Sequence, residues 1–389
     1  MGRIVVAPAP DSGLPLGPTR GAGKASGDRP VRWRRCLVLA ALTPLGLLLQ
    51  TIAAQAPEWV EHTYARGIYP FVQETLSALA RSSPIAIGET LLLLLVLTIC
   101  LRTGRGVVGL CRGRRSLLNL AGHGLAQAAA VFGVLYLLFL LLWGFNHARL
   151  PFATQISLHP AAVEPARLAR VALRLAQRAD AERPPDPESE RPHLDPSFAD
   201  AISAAYDAAG KVWPVLAGPR PVIRAAWLSR WMTLGSITGI YSPFTGEANV
   251  NVDLPQVVQP FVACHEVAHL RGYAREDEAN FIAWWVGSRS DDRSVAYSCD
   301  LMAFHATMIA LEHASFVAWM EVRIKAPSAV MEDSVAIDRF WDGQPKLATR
   351  VLSAVTTATN DLYLKSSGHA EGVRSYGRMV DLLIAALDP

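Results

Sequence analysis

Three stretches of the chain are too long and too apolar for loops or half-exposed elements. Residues 36–57 carry no charge, residues 82–101 carry only Glu89 ahead of the run Leu91 to Leu95, and residues 126–145 are again uncharged through Trp143. Each approaches the roughly 20 residues that an α-helix needs to cross a hydrocarbon core about 30 Å thick. Three transmembrane helices are therefore expected, with the lipid bilayer as a partner. The composition agrees: of 389 residues 51% are apolar and 18% charged, whereas a soluble domain is about 25% charged. The first stretch is longer than a signal-peptide core and begins late in the chain, so it reads as a retained anchor. Glu89 lies near the end of its segment and is expected to snorkel to the interface.

Basic residues set the orientation. Arg29, Arg32, Arg34 and Arg35 precede the first stretch, and Arg102, Arg105, Arg112, Arg114 and Arg115 lie between the second and third. The positive-inside rule places both groups in the cytoplasm and everything after about residue 146 on the outer side. The net charge of +3 is too small to suggest a nucleic-acid binder, and membrane anchoring accounts for the basic loop, so no nucleic acid is expected as a partner. Five cysteines in a chain of this length exclude a disulfide scaffold.

Beyond residue 146 the pattern turns soluble. Residues 161–182 have Leu168, Val171 and Leu175 at helical spacing, Arg183 to Glu188 is a proline-rich break, and a second helix is expected over 197–210. From Val222 to Val252, glycines and prolines punctuate short β-prone pieces, and Asn249 to Val252 alternates as a strand does. From residue 260 onward the pattern is mostly helical. The expected organisation is a basic segment 1–35, a three-helix membrane region 36–146, and an α+β domain 147–389 that is mostly helical with a small sheet.

One segment carries chemistry. Cys264-His265-Glu266-Val267-Ala268-His269-Leu270-Arg271-Gly272 contains His-Glu-x-x-His. On a helix, positions i and i+4 share a face, so His265 and His269 can both offer a ring nitrogen to one Zn²⁺. Glu266, about 100° round the helix, suits a general base acting on water at the metal's open position. Gly272 can end the helix in a left-handed turn. A new helix then begins at Arg275-Glu276-Asp277-Glu278-Ala279-Asn280. Glu276 and Asn280 share a face, so Glu276 can be the third ligand while Asn280 supports a ligand histidine; Glu278 is the alternative. An edge strand at 249–252 could hold an extended substrate beside the metal. Tyr297, His305 and Tyr376 are candidate donors to a developing oxyanion.

His-Glu-x-x-His followed by Glu276-Asp277-Glu278-Ala279-Asn280 resembles the gluzincin metallopeptidases, whose third ligand is a glutamate on a following helix with Asp or Asn four residues later. That resemblance implies His265, His269 and Glu276 as zinc ligands, Glu266 as the catalytic base, and a zincin-like fold for the outer domain. The whole chain is also similar to a bacterial membrane family known as domain of unknown function 3810. The likeness runs through the three spans, Trp143-Gly144-Phe145-Asn146, Tyr241 to Asn249, His265 to Ala283 and Ser375 to Arg378. Together these imply a multi-pass protein of the bacterial cytoplasmic membrane with an extracytoplasmic, zinc-dependent peptidase domain acting on polypeptides at the outer face. The competing expectation is a non-catalytic, membrane-tethered binding or scaffold protein with a structural or vestigial metal site, closed by His305 or Glu278.

Overall fold

Proline and glycine decide where the apolar helices start and stop. The computed structural model describes residues 30–113, 116–160, 164–187, 196–346, 352, 354 and 376–388. Helices α1 (Pro30–Ala40) and α2 (Leu42–Ala54) run nearly end to end, and α5 (Ile87–Cys111) and α6 (Leu117–Leu142) follow. Among the described residues, four helices are long and apolar enough to cross a membrane: Arg35–Ala54, α5, Leu120–Leu142 and α13 (Arg293–Ala314). The last is 67% buried over its apolar window, against 6–17% for the others, so it is a core helix of the folded domain. The second membrane helix differs from the expected 82–101. Pro84 disfavours helix at the residue before it and delays the start to Ile87. Nothing stops the helix at Arg102 or Arg105, and it ends ahead of Gly113, at φ +64°. The third begins at Leu117 rather than 126.

Between the first two membrane helices lies a folded layer. It comprises α3 (Pro57–Trp59), a π-helical stretch Val60–Ile68 and α4 (Tyr69–Arg81). The 3-10 turn Gly144–Ala148 and α7 (Phe152–Gln155) join it. Its fastening is a fully buried carboxylate: Glu61 pairs with Arg149 Nε at 2.9 Å and Arg66 Nε at 2.7 Å. Burial pushes Glu61 toward its neutral form, but the two guanidinium groups outweigh it and hold the carboxyl below its ordinary range.

The remaining chain packs α8 (Pro165–Glu182), α9 (Pro196–Val212), α11 (Gln259–Leu270), α12 (Glu276–Gly287), α13 and α16 (Tyr376–Leu387) around one apolar core. In α8 the buried stripe Leu168, Val171, Leu175 and Ala179 recurs every three to four residues. Arg178 reaches Asp300 of α13 at 3.0 Å, and Trp284 Nε1 donates to the same carboxylate at 2.8 Å. Helices α14 (Phe316–Lys325) and α15 (Ser328–Asp342) follow α13, broken at Pro327 as expected.

A three-stranded sheet lies beside α11. Strands β1 (Val222–Ala225), β2 (Gly239–Ser242) and β3 (Glu247–Val250) are ordered β1-β3-β2, with helix α10 (Ser229–Leu234) between the first two in sequence. β1 runs parallel to β3, and β2 pairs antiparallel with Tyr241 opposite Ala248. This corrects the reading of Asn249 to Val252 as an edge strand. The strand starts two residues earlier, because the turn closing at Gly246 (φ +70°) launches it, and it is central and wholly buried. The edge strands are β1 and β2, and β2 is the one that lies against Glu266 of α11.

Removing one partner of a buried ion pair leaves an uncompensated charge and typically costs about 3–5 kcal/mol. Arg149→Met should therefore lower the thermal midpoint of the full-length protein in detergent by that equivalent. A loss nearer that of an exposed pair would show that Glu61 and Arg149 do not hold the layer together.

Candidate metal centre

The site is built at the C-terminal end of α11. Gly272, at φ +81°, reverses the chain; a Cβ there would stand 3.0 Å from Arg149 Nη1 and from Asn146 Oδ1. The reversal is tight enough for α12 to begin four residues later with Glu276 in its first turn. The donor atoms of His265, His269 and Glu276 lie within 4.8 Å of one another, so the three residues could hold a metal ion. His265 Nε2 is 3.2 Å from Glu276 Oε2, and His269 Nε2 is 3.7 Å from Glu276 Oε1.

Supporting contacts orient this cluster. His269 Nδ1 lies 2.7 Å from the Tyr273 carbonyl oxygen, which can only accept, so Nδ1 carries the proton and Nε2 keeps its lone pair for a metal. Asn280 lies beside His265, as expected from its spacing; burial would lower the pKa of that ring, but the hydrogen bond and charge of Glu276 outweigh it and raise it. His265 Nδ1 and Asn280 Nδ2 are nonetheless buried without a hydrogen-bond partner. Burial lowers the His269 pKa to about 4, the neutral form a ligand needs. Glu276 falls to about 2: burial would raise it, but the hydrogen bond and charge of His265 outweigh that. Two imidazoles and one carboxylate form a donor set suited to zinc and to neighbouring divalent metals, once a metal displaces the proton that Glu276 favours on His265.

Glu266 sits apart from the three donors, as its position on the helix predicts. It is 3% exposed, and burial, reinforced by the charge of Glu276, raises its pKa to about 7. A backbone hydrogen bond from Tyr241 on β2 steadies it. Gly239, also on β2, leaves room for that carboxylate: a Cβ there would stand 2.8 Å from Glu266 Cδ and would make the Glu266 side chain shift. The open edge of the sheet thus meets the carboxylate beside the metal-type cluster.

The other candidates lie elsewhere. Glu278 accepts from the Phe152 amide at 2.9 Å and pairs with Arg275 at 3.5 Å. Tyr297 donates to Asp333, and His305 lies 3.0 Å from Ser334 Oγ and 3.6 Å from Asp338, so both are committed to α15. The side chain of Tyr376 lies outside the described residues. Cys264 is fully buried beside Cys299, and both are free thiols.

Sequence reasoning missed four contributors that arrive from the membrane side. Trp143 Nε1 donates to the His269 carbonyl at 2.9 Å. Tyr69 Oη and Gln73 Nε2 donate to the Leu270 carbonyl at 2.8 and 2.6 Å. His147 stands edge-on to Trp143, 5.1 Å between ring centres, near enough for its charge to lower the Glu276 pKa. Of these, only the likeness around Trp143 to Asn146 hinted at a role.

Fold and site together define a mostly helical membrane protein with a small sheet and a His-His-Glu cluster, its histidines buried and Glu276 half-buried, that could bind metal. The profile of the family described as protein of unknown function DUF3810 matches residues 64–384, and the chain belongs to that family. No curated protein and no solved structure matches the chain.

Metal content separates the two acidic candidates. Glu276→Gln should lower bound metal in the full-length protein by about 10-fold or more in affinity, the scale seen when a metal site loses one supporting partner. Glu278→Gln should keep it, because its amide oxygen can still accept from Phe152. Elemental analysis after dialysis reads both, and the reverse pattern would move the third ligand to Glu278.

Proposed function

We propose that this protein is a membrane-anchored, zinc-dependent metallopeptidase that cleaves polypeptides at the outer face of the bacterial cytoplasmic membrane. One observation carries the reading: Glu266, a buried carboxylate outside the donor triad, is held between that triad and the open edge of β2. A structural metal site has no use for such a group, whereas hydrolysis needs a base beside the metal. His265, His269 and Glu276 would hold the metal, which when bound supplies a Lewis acid that polarises a carbonyl and eases deprotonation of water.

The chain's own residues supply the rest. The free edge of β2 can pair with an extended polypeptide backbone and orient one of its carbonyls toward the triad. Gly239 and the Tyr241 amide keep the Glu266 carboxylate aimed at that edge, where it can take a proton from water and return it to the departing amine. His147 is the positively chargeable side chain beside Glu276 that could steady negative charge developing on the carbonyl oxygen. The closed, four-ligand alternative is disfavoured by the placement of its two nominees: His305 faces α15 and Glu278 binds Phe152.

The outward orientation rests on two facts. The layer 57–81 contacts the segment after Trp143, so both lie on one side of the bilayer, as three spans require. The short connection between α5 and α6, with Arg112, Arg114 and Arg115, joins the opposite ends of those helices.

The test is hydrolysis of an unstructured, fluorescently labelled polypeptide by the full-length protein in detergent, with metal content measured in parallel. Glu266→Gln should retain metal and lose activity by about 10²–10⁴-fold, the usual contribution of general base catalysis. Gly239→Ala should also keep metal but fall by about 10²-fold, because a misplaced base costs that much. Unchanged hydrolysis in Glu266→Gln would overturn the mechanism, and loss of metal would make Glu266 a ligand instead.

A further inference from the structure

The first turn of α5 is stitched to the sheet at four backbone amides. The Ile87 and Gly88 amides donate to the Glu247 carboxylate of β3 at 2.9 and 2.8 Å. In return, the amides of Trp227 and Leu228 donate to Glu89 at 2.8 and 2.9 Å. Glu89 therefore does not snorkel toward water; it is spent on the start of α10. The β2–β3 turn closes on the same spot, since a Cβ on Gly88 would stand 3.2 Å from Ser242 Oγ and 3.3 Å from Thr245 Oγ1.

Beside this junction lies a group of large apolar side chains that the domain leaves uncovered. Trp227 is 55% and Trp231 64% exposed, and Ile85, Ile240 and Phe244 are exposed as well. Two residues beyond Glu89, about 3 Å along the helix axis, the uncovered part of α5 begins: every residue from Leu91 to Arg105 is exposed. The patch is thus continuous with the apolar surface of a membrane-crossing helix and lies at the level where that surface starts. Tryptophan, with an apolar ring and one N–H donor, is enriched at that boundary.

We propose that Trp227, Trp231 and the β2–β3 turn at Phe244 form an interfacial anchor that rests in the headgroup region of the bilayer. The bilayer is the occupant because the patch is fastened, through Glu89 and Glu247, to the first turn of a spanning helix. A second copy or another protein would have to sit astride that lipid boundary. The anchor lays the open edge of β2 along the membrane surface. Resting on the hydrolase reading, this makes chain segments emerging from the bilayer the substrates that meet the site first.

The experiment reads lipid contact without any assay of activity, so failure of the hydrolase reading leaves it unaffected. Full-length protein is reconstituted into nanodiscs of phosphatidylcholine brominated either near the headgroup or near the acyl-chain end. Wild type is compared with Trp227→Phe, Trp231→Phe and the double variant. The emission lost on substitution should be quenched strongly by shallow bromines and weakly by deep ones. Emission that neither lipid quenches would overturn the proposal, and a blue shift of that emission would assign the patch to a protein partner or second copy. Quenching mainly by deep bromines would also overturn it, placing the residues within the hydrocarbon core. Each single variant gives its own reading, so a double variant that fails to fold does not spoil the test.

Discussion

The C-terminal carbonyls of α11 are the point through which the membrane region and the metal-type site act on each other. A helix end leaves its last carbonyls without intrahelical partners, and a buried end must find donors for them elsewhere. Here the His269 carbonyl accepts from Trp143, the Leu270 carbonyl from Tyr69 and Gln73, and those of Arg271 and Gly272 from Arg149 at 3.2 Å. All four donors come from the membrane helices or the layer beside them. Arg149 can serve only because Glu61 neutralises it inside the protein. The His-Glu-x-x-His helix is thereby fixed relative to the bilayer by hydrogen bonds at its own end.

That attachment also shapes the site. With the end of α11 pinned, the reversal at Gly272 carries the chain so that the Tyr273 carbonyl meets His269 Nδ1 and α12 presents Glu276 to both histidines. On the opposite side, Glu247 ties the central strand to α5 and to Arg224 at 3.0 Å, which fixes β2 and, with it, the Glu266 carboxylate. The membrane-proximal layer is therefore part of the site's scaffold. A fragment beginning after Trp143 would lack Tyr69, Gln73, Trp143 and Glu61, and with them most of the caps on α11.

Much of this was legible in one dimension. Charge-free runs of about 20 residues mark membrane helices because lipid cannot solvate charge or unpaired backbone. The spacing of His265 and His269 places two rings on one helical face, and glycine three residues on marks the left-handed stop. The i, i+4 relation of Glu276 and Asn280 likewise placed both beside the histidines. Helix ends were less legible: the run to Cys111 defeated a reading by charge, since arginine is a good helix former and does not stop a helix.

What the sequence by itself determined is local: which segments enter lipid, which residues share a face, and where a helix must turn. Those properties follow from the periodicity of a single element and from the solvent around it. Only the tertiary structure decided which strand lies at the centre of the sheet, because β3 has to find both β1 and β2 as neighbours. Only it gave Glu89 and Glu247 their partners, and it alone turned the stretch between two membrane helices into the cap of the metal-type helix. These are contacts between residues separated by 126 to 201 positions. No periodicity encodes such contacts; they arise because buried carbonyls and carboxylates must be paired once the elements come together.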